Sequence, residues 1–478
     1  MPEELARRAA ELRMPGVALT DRNGLYGAVR FVAACERQGV RPLLGATVTI
    51  REEPGALRSG VGDGLASGAT PPAPKGVDTS VVLLAQDAAG YANLCRLITD
   101  AHMTGERGDP SLALEQLCAH PGGLVALLGP SSRPGMLAVA DRLYAAWRAL
   151  DPFRESFGDR LFVAVQHRLE RDSSAEIRAL LRLADAAGVR AVATNPVRYL
   201  VPGDAFLADA LECMREIVPI AAHHVSRRNA EGYLKPPPLM RSLFAERPDL
   251  CDATLEIAES CAFDLGLRRV HFPEFPTPAG RSAGSVLAER CWRGMDDREM
   301  KPSRLVRDRL DLELSMIQRM GYAAYFLTVA DIVADIRAMG IRCACRGSAA
   351  GSLVCHLTGI SDVDPVRHDL VFERFINPLR DELPDIDIDV ESARREDVYD
   401  MILSRHGDDR AACVTMVDTY RARGAIREVG KALGLPEVEV DTVAKAFPHI
   451  GADDIRAAIE QLPELAGQNL AADRKSVV

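Results

Sequence analysis

Short apolar runs recur through the first 200 positions, with segments of helical apolar spacing between them, and this rhythm limits the fold more than any other feature. The runs are Gly16-Val17-Ala18-Leu19-Thr20, Arg41-Pro42-Leu43-Leu44-Gly45, Val81-Val82-Leu83-Leu84, Leu124-Val125-Ala126-Leu127-Leu128, Leu161-Phe162-Val163-Ala164-Val165 and Ala191-Val192-Ala193-Thr194. Strands that helices cover on both faces read as continuous hydrophobic stretches, without the alternation of a half-exposed strand. Glu4 to Leu12, Val29 to Gln38 and Ala175 to Ala187 supply helices between them. The pattern predicts an α/β domain, either barrel-like or doubly wound.

Residues 52–78 break the rhythm with Gly, Ser, Ala and Pro, running through Pro71-Pro72-Ala73-Pro74. A segment this poor in apolar side chains is expected to be a disordered surface insertion. Residues 203–265 read as helical with a break at Pro236-Pro237-Pro238, and residues 271–280 read as an extended linker. Beyond it the spacing predicts helices near 304–320 and 325–339, a Gly-rich loop at 346–352, a strand over 385–390, and more helix past about 415. At 478 residues the chain has room for about three domains.

No apolar run reaches the ~18–20 residues that span a bilayer. Met1-Pro2-Glu3-Glu4-Leu5 has no signal-peptide pattern. The eleven cysteines are scattered and odd in number, and Cys343 and Cys345 stand too close for a zinc knuckle or a disulfide framework. These features place the protein in a reducing cytoplasm. A net charge of −10 weighs mildly against nucleic-acid binding, because phosphate neutralisation needs Lys and Arg. The local distribution of charge matters more than its sum.

Three segments of the second half carry chemistry. Asp385, Asp387 and Asp389 alternate with Ile386, Ile388 and Val390, so in a strand the carboxylates share one face and the aliphatic chains the other. Neighbouring carboxylates repel unless a cation sits between them, and hard oxygen ligands suit Mg²⁺. A solvated acidic strand face would read the same way. In Arg346-Gly347-Ser348-Ala349-Ala350-Gly351-Ser352, small residues let backbone N–H groups approach phosphate oxygens, and a helix opening after the loop favours anions. Close packing of helices uses small residues too. Arg374 and Arg380, in Phe372-Glu373-Arg374-Phe375-Ile376-Asn377-Pro378-Leu379-Arg380, stand just before the acidic strand. They suit a triphosphate's oxygens, or the nearby aspartates themselves.

Together with Gly321-Tyr322-Ala323-Ala324-Tyr325-Phe326-Leu327-Thr328-Val329-Ala330-Asp331, these segments resemble, in order and spacing, the palm of the bacterial DNA polymerase III alpha family. The palm that the resemblance implies is built like that of DNA polymerase beta. The resemblance implies that Asp385 and Asp387 are two metal-binding catalytic aspartates and that Asp389 occupies a more variable third position. It implies that Gly347 and Ser348 contact phosphate and that Arg374 and Arg380 face the incoming nucleotide. The implied reaction is attack of a primer 3′-hydroxyl on the α-phosphate of a dNTP, with Mg²⁺ as cofactor and primer-template DNA as partner. Sliding-clamp and accessory-protein contacts are implied for regions outside this chain.

Residues 1–270 resemble the family's amino-terminal polymerase-and-histidinol-phosphatase (PHP) domain, a distorted β/α barrel. Ala18-Leu19-Thr20-Asp21-Arg22-Asn23-Gly24-Leu25, Gly90-Tyr91-Ala92-Asn93-Leu94-Cys95-Arg96-Leu97-Ile98 and Ala193-Thr194-Asn195-Pro196-Val197-Arg198-Tyr199 carry that likeness. Residues 271–415 resemble the first part of the palm, and 416–478 the start of a helical thumb, including Asp418-Thr419-Tyr420-Arg421. Metal-binding PHP domains begin with a His-x-His strand, and this chain starts after that point. Arg22, Thr47 and Arg198 stand where such domains carry metal-binding side chains, and Arg cannot be deprotonated to act as a ligand. No PHP metal and no PHP exonuclease or phosphatase activity is therefore expected. His102, His167, His223-His224 and His356 read as surface or core histidines.

The family's third catalytic aspartate and its fingers would fall past Val478, so the fragment is expected to be inactive alone. Residues 473–478 read as the artefactual tail of a truncated gene. The substitutions and segments together lean toward the error-prone paralogue over the main replicative subunit. A PHP-type phosphoesterase would need an intact His cluster. A non-catalytic scaffold would be favoured by loss of Asp385 or Asp387, and both are present.

Overall fold

The structure is a computed structural model that describes residues 1–51, 78–222, 228–267, 272–377, 383–407, 410–414 and 418–461. The insertion expected at 52–78 (Asp78 aside), His223-His224, Arg380 and the tail 473–478 lie outside the described residues. The chain divides into two compact units, residues 1–267 with 417–478, and residues 268–416.

The six apolar runs of the first unit form one sheet. Its strands are β1 (Gly16–Arg22), β2 (Arg41–Ile50), β3 (Thr79–Ala85), β4 (Leu124–Leu128), β5 (Leu161–Gln166) and β6 (Arg190–Thr194), side by side in chain order. A doubly wound sheet reverses its strand order at a switch point, so sequential order selects barrel-type winding. β1 pairs parallel with β2, and β4, β5 and β6 run parallel to one another. β3 runs antiparallel to both neighbours, which a simple βα rhythm does not predict. The β2–β3 connection is the Pro- and Gly-rich segment, and antiparallel pairing needs no crossover helix.

The continuous apolar strands are explained by a core on each face. Leu124, Ala126 and Leu128 of β4 join Leu94 and Leu97 of the Ala88–Thr104 helix on one side. Val125 and Leu127 join Phe162, Ala253 and Ile257 on the other. Each fully buried Leu or Val contributes about 1.5–3 kcal/mol relative to exposure. The segment read as the start of a thumb is helical over Ala422–Ala432, Glu437–Ala446 and Ile455–Gln461. The Ala422–Ala432 helix packs against the Ala205–Glu216 helix within this unit.

In the second unit, helices Ala283–Asp297, Arg304–Arg319 and Ala323–Ala338 surround a core that includes Leu287, Leu310, Phe326, Leu353, Phe372 and Phe375. Ser282 and Ser303 start the first two helices, accepting hydrogen bonds from the amides of Ser285 and Val306. This is the ordinary N-cap role of serine. The unit's sheet is a two-stranded antiparallel ribbon of β7 (Cys343–Arg346) and β8 (Asp387–Val390). All eleven cysteines are free. Among the described residues, no helix is long and apolar enough to cross a membrane.

Candidate active site

The β7–β8 ribbon builds the site. Its register sets Arg346 opposite Asp387 and Ala344 opposite Asp389. Ile386 and Ile388 pack against the second unit's core while Asp389 is exposed and Asp387 half-buried. The strand is shorter than the 385–390 span read from the sequence. Asp385 precedes it, because the partner strand ends at Arg346 and the Ile386 amide donates instead to the Tyr325 hydroxyl at 3.0 Å. Tyr325 is held by ring contacts with Phe272 and Phe326, and burial raises its pKa.

A fixed cation already lies on the acidic face. Arg346 Nε donates to Asp389 Oδ1 at 2.9 Å, and Nη1 lies 3.2 Å from Asp387 Oδ2. The hydrogen bond to Asp389 and the charges of Asp387, Asp389 and Asp385 hold the guanidinium above its ordinary pKa. Sequence reasoning assigned the counter-charge to Arg374 and Arg380 and missed Arg346. The missed signal is cross-strand pairing, which puts residues directly opposite and diagonal within reach of a long side chain. Among the described residues, no group of three or more His, Cys, Asp or Glu side chains is placed to hold a metal ion.

Directly after Arg346 the chain turns through a 3₁₀ segment, Gly347–Gly351. Gly347 has φ +74°, a left-handed conformation that suits glycine, and a Cβ added there would lie 3.5 Å from Asp387 Oδ2. Gly347 is exposed and Ser348 half-buried, so the turn's first residues border the acidic face. The helix that follows, Leu353–Leu357, does not offer its N-terminus to an outside anion. Its first amides, Leu353 and Val354, donate to the carboxylate of Glu313 at 3.0 and 3.1 Å. Glu313 belongs to the Arg304–Arg319 helix, is 0% exposed, and also accepts from Ser352 Oγ and Arg309 Nε. Burial raises its pKa against the pull of those four donors. Nothing in the sequence separates this Arg309/Glu313 spacing from an exposed i,i+4 pair.

Arg374 is exposed at the end of the 3₁₀ turn Phe372–Arg374, which buried Phe372 and Phe375 anchor. Of the lone histidines, His102 Nε2 contacts the Asn23 carbonyl, His167 meets the Phe244 ring edge-on, and His356 is buried with its pKa lowered by desolvation.

Residues 285–477 match the family model described as the bacterial DNA polymerase III alpha NTPase domain, and residues 1–168 match the PHP domain. An error-prone DNA polymerase of Symbiobacterium thermophilum is 36% identical over 97% of this chain and 42% of its own length. The chain carries a PHP domain and a bacterial DNA polymerase III alpha domain. An error-prone DNA polymerase of Pseudomonas fluorescens is 36% identical over 96% of the chain and 41% of its own length. The DNA polymerase III alpha subunit of Caulobacter vibrioides is 34% identical over 94% and 39%. The chain thus spans about two fifths of the length of these family members.

In the PHP part, Arg22 and Thr47, two of the positions that depart from the metal-binding pattern, are direct partners across β1 and β2. The third, Arg198, pairs with Glu212 at 3.2 Å. The Asp21 carboxylate accepts from the Gly27 amide at 2.9 Å. Asn23 ties the Thr49 hydroxyl and the Pro110 carbonyl together with its side-chain amide.

Proposed function

We propose that the protein is a DNA-directed DNA polymerase of the error-prone branch, joining a dNTP to a primer 3′-hydroxyl in the cytoplasm. The observation that carries this reading is the ribbon that places Asp387, Asp389 and the Gly347 turn around one cation-bearing face. Its carboxylate oxygens, already sharing a fixed positive charge, fit a hard divalent ion such as Mg²⁺. Asp385 and Asp387 would hold it, with Asp389 secondary. Such an ion stabilises charge on the transferring phosphoryl group when bound.

The chain's own residues orient the substrate. The backbone N–H groups at Gly347 and Ser348 meet phosphate oxygens, and Arg374 and Arg380 offset the triphosphate's charge. Arg346 offsets the charge of Asp387 and Asp389 before substrate arrives. Primer-template DNA and dNTP are the substrates, with sliding clamp and accessory proteins as partners. The PHP part binds no metal and has no hydrolytic activity of its own, a reading supported by Arg22, Thr47 and Arg198.

The test is primer extension by the polypeptide the gene encodes, with Asp385→Ala and Asp387→Ala as controls. Metal-dependent extension lost in both variants is expected, and full extension by the double variant overturns the reading. The Caulobacter likeness favours a replicative alpha subunit as the second reading. Extension past an abasic template site separates the two, since the error-prone reading requires it.

A further inference from the structure

We propose that Arg309 and Glu313 form an internal strut that fixes the two phosphate-facing segments relative to each other, and so sets nucleotide affinity without touching the nucleotide. The proposal rests on the polymerase reading of the site.

Glu313 takes four hydrogen bonds in the core of the second unit. Oε1 accepts from the Leu353 amide at 3.0 Å and from Arg309 Nε at 2.6 Å, and Oε2 accepts from Ser352 Oγ at 2.8 Å and the Val354 amide at 3.1 Å. Three of these donors, Ser352, Leu353 and Val354, lie immediately after the Gly347–Gly351 turn. Arg309 Nη2 donates to the carbonyl of Gly351 at 2.9 Å and to that of Leu370 at 3.1 Å. Its guanidinium stands 5.7 Å from the centre of the Phe372 ring, at the head of the turn that carries Arg374. One ion pair on the Arg304–Arg319 helix therefore ties the end of the Gly-Ser turn to the start of the arginine-bearing turn.

The burial of the two charges is not in itself a gain in stability. Glu313 is 0% exposed and flanked one turn away by buried Leu310 and Ile317, where an apolar side chain would fill the same space. Replacing a buried ion pair with apolar residues of similar volume is often neutral or stabilising. What an apolar pair lacks is directional bonding to Gly351, Ser352, Leu353, Val354 and Leu370. Those bonds specify where the two turns stand, and a displacement of about 1 Å in a positioning group can lower reactivity about a hundredfold. The strut also closes the Leu353–Leu357 helix to outside anions, leaving Gly347 and Ser348 as the amides that phosphate meets.

The experiment compares wild type, Arg309→Met/Glu313→Leu and Arg309→Lys in the encoded polypeptide. Thermal unfolding, steady-state extension at varied dNTP, and Mn²⁺ binding by electron paramagnetic resonance are measured on each. The double variant leaves the Leu353 and Val354 amides and the Gly351 and Leu370 carbonyls without these partners, so it is expected to melt below the wild-type temperature while binding Mn²⁺ unchanged. Its KM for dNTP should rise roughly ten- to hundredfold, with a smaller change in kcat. Arg309→Lys keeps the charge but loses the fork to two carbonyls, and should raise KM in the same direction with the fold intact. Should the double variant not fold, Arg309→Lys decides alone. An unchanged KM in a folded variant overturns the strut. Absence of extension by wild type overturns instead the polymerase reading, so the two failures are distinct.

Discussion

Gly347→Ala separates the backbone demands of the Gly-Ser turn from its role in binding. Gly347 has φ +74°, and an added methyl would meet only Asp387 Oδ2, at 3.5 Å, an ordinary contact. The structural cost is therefore conformational. Placing a Cβ in the left-handed region costs about 1–2 kcal/mol. That lowers the folding equilibrium of the unit by a factor of roughly 5–30. Gly340 is the matched control, with φ +69° and nothing within 4 Å of its added Cβ. Gly340→Ala should cost the same 1–2 kcal/mol, about the same loss for the same reason. The two should part on ligand binding. In Gly347→Ala the methyl stands between the turn and the acidic face, so binding of a fluorescent dNTP with Mn²⁺ should fall sharply. In Gly340→Ala it should be unchanged once the folded fraction is allowed for. Urea unfolding followed by circular dichroism gives the first quantity, and fluorescence anisotropy the second. Wild-type nucleotide affinity in Gly347→Ala, or equal losses in the two variants, would refute the assignment of this turn to phosphate.

Other outcomes follow from the same geometry. Arg346→Gln removes the cation shared by Asp387 and Asp389, so Mn²⁺ should bind more tightly without nucleotide while the melting temperature barely moves, because exposed ion pairs add little stability; weaker Mn²⁺ binding would contradict this. Burial pushes the Cys291 thiol up to about 12 and Cys345 up to about 11, so thiolate is scarce there at pH 8 and exposed Cys413 should be alkylated first, as peptide mapping would show. Burial also raises the folded pKa of Glu313 above its unfolded value. The native state then binds more protons between those two values, so this residue's contribution is full below the unfolded pKa and is lost as pH rises through the folded one. Glu313→Gln should flatten that part of the stability–pH profile, and identical slopes in wild type and variant would count against the shift.

Much of the architecture was legible because it depends on neighbours in sequence. The six apolar runs lie in the six strands of the first unit's sheet, and a strand buried on both faces, as β4 is, must be apolar throughout. The alternation of Ile386 and Ile388 with aspartates placed the aliphatic side chains in the core for the same local reason. Strand order was not legible, because barrel and doubly wound folds share one βα rhythm and differ only in which strands meet. The reversed direction of β3 was hidden too, since pairing partners are chosen across the sheet.

The acidic segment shows the same division. Its period of two was written in the residues themselves, and so was the glycine that opens the turn beside it. That Asp385 stands outside the strand was decided by where β7 ends and by the Tyr325 hydroxyl taking the Ile386 amide. That Arg346 balances the charge was decided by pairing between residues 43 apart. Arg309 and Glu313 are the sharpest case. At i,i+4 they read as one more exposed helix pair, and only the packing of distant segments around them removed water and supplied the donors that hold a carboxylate in the core.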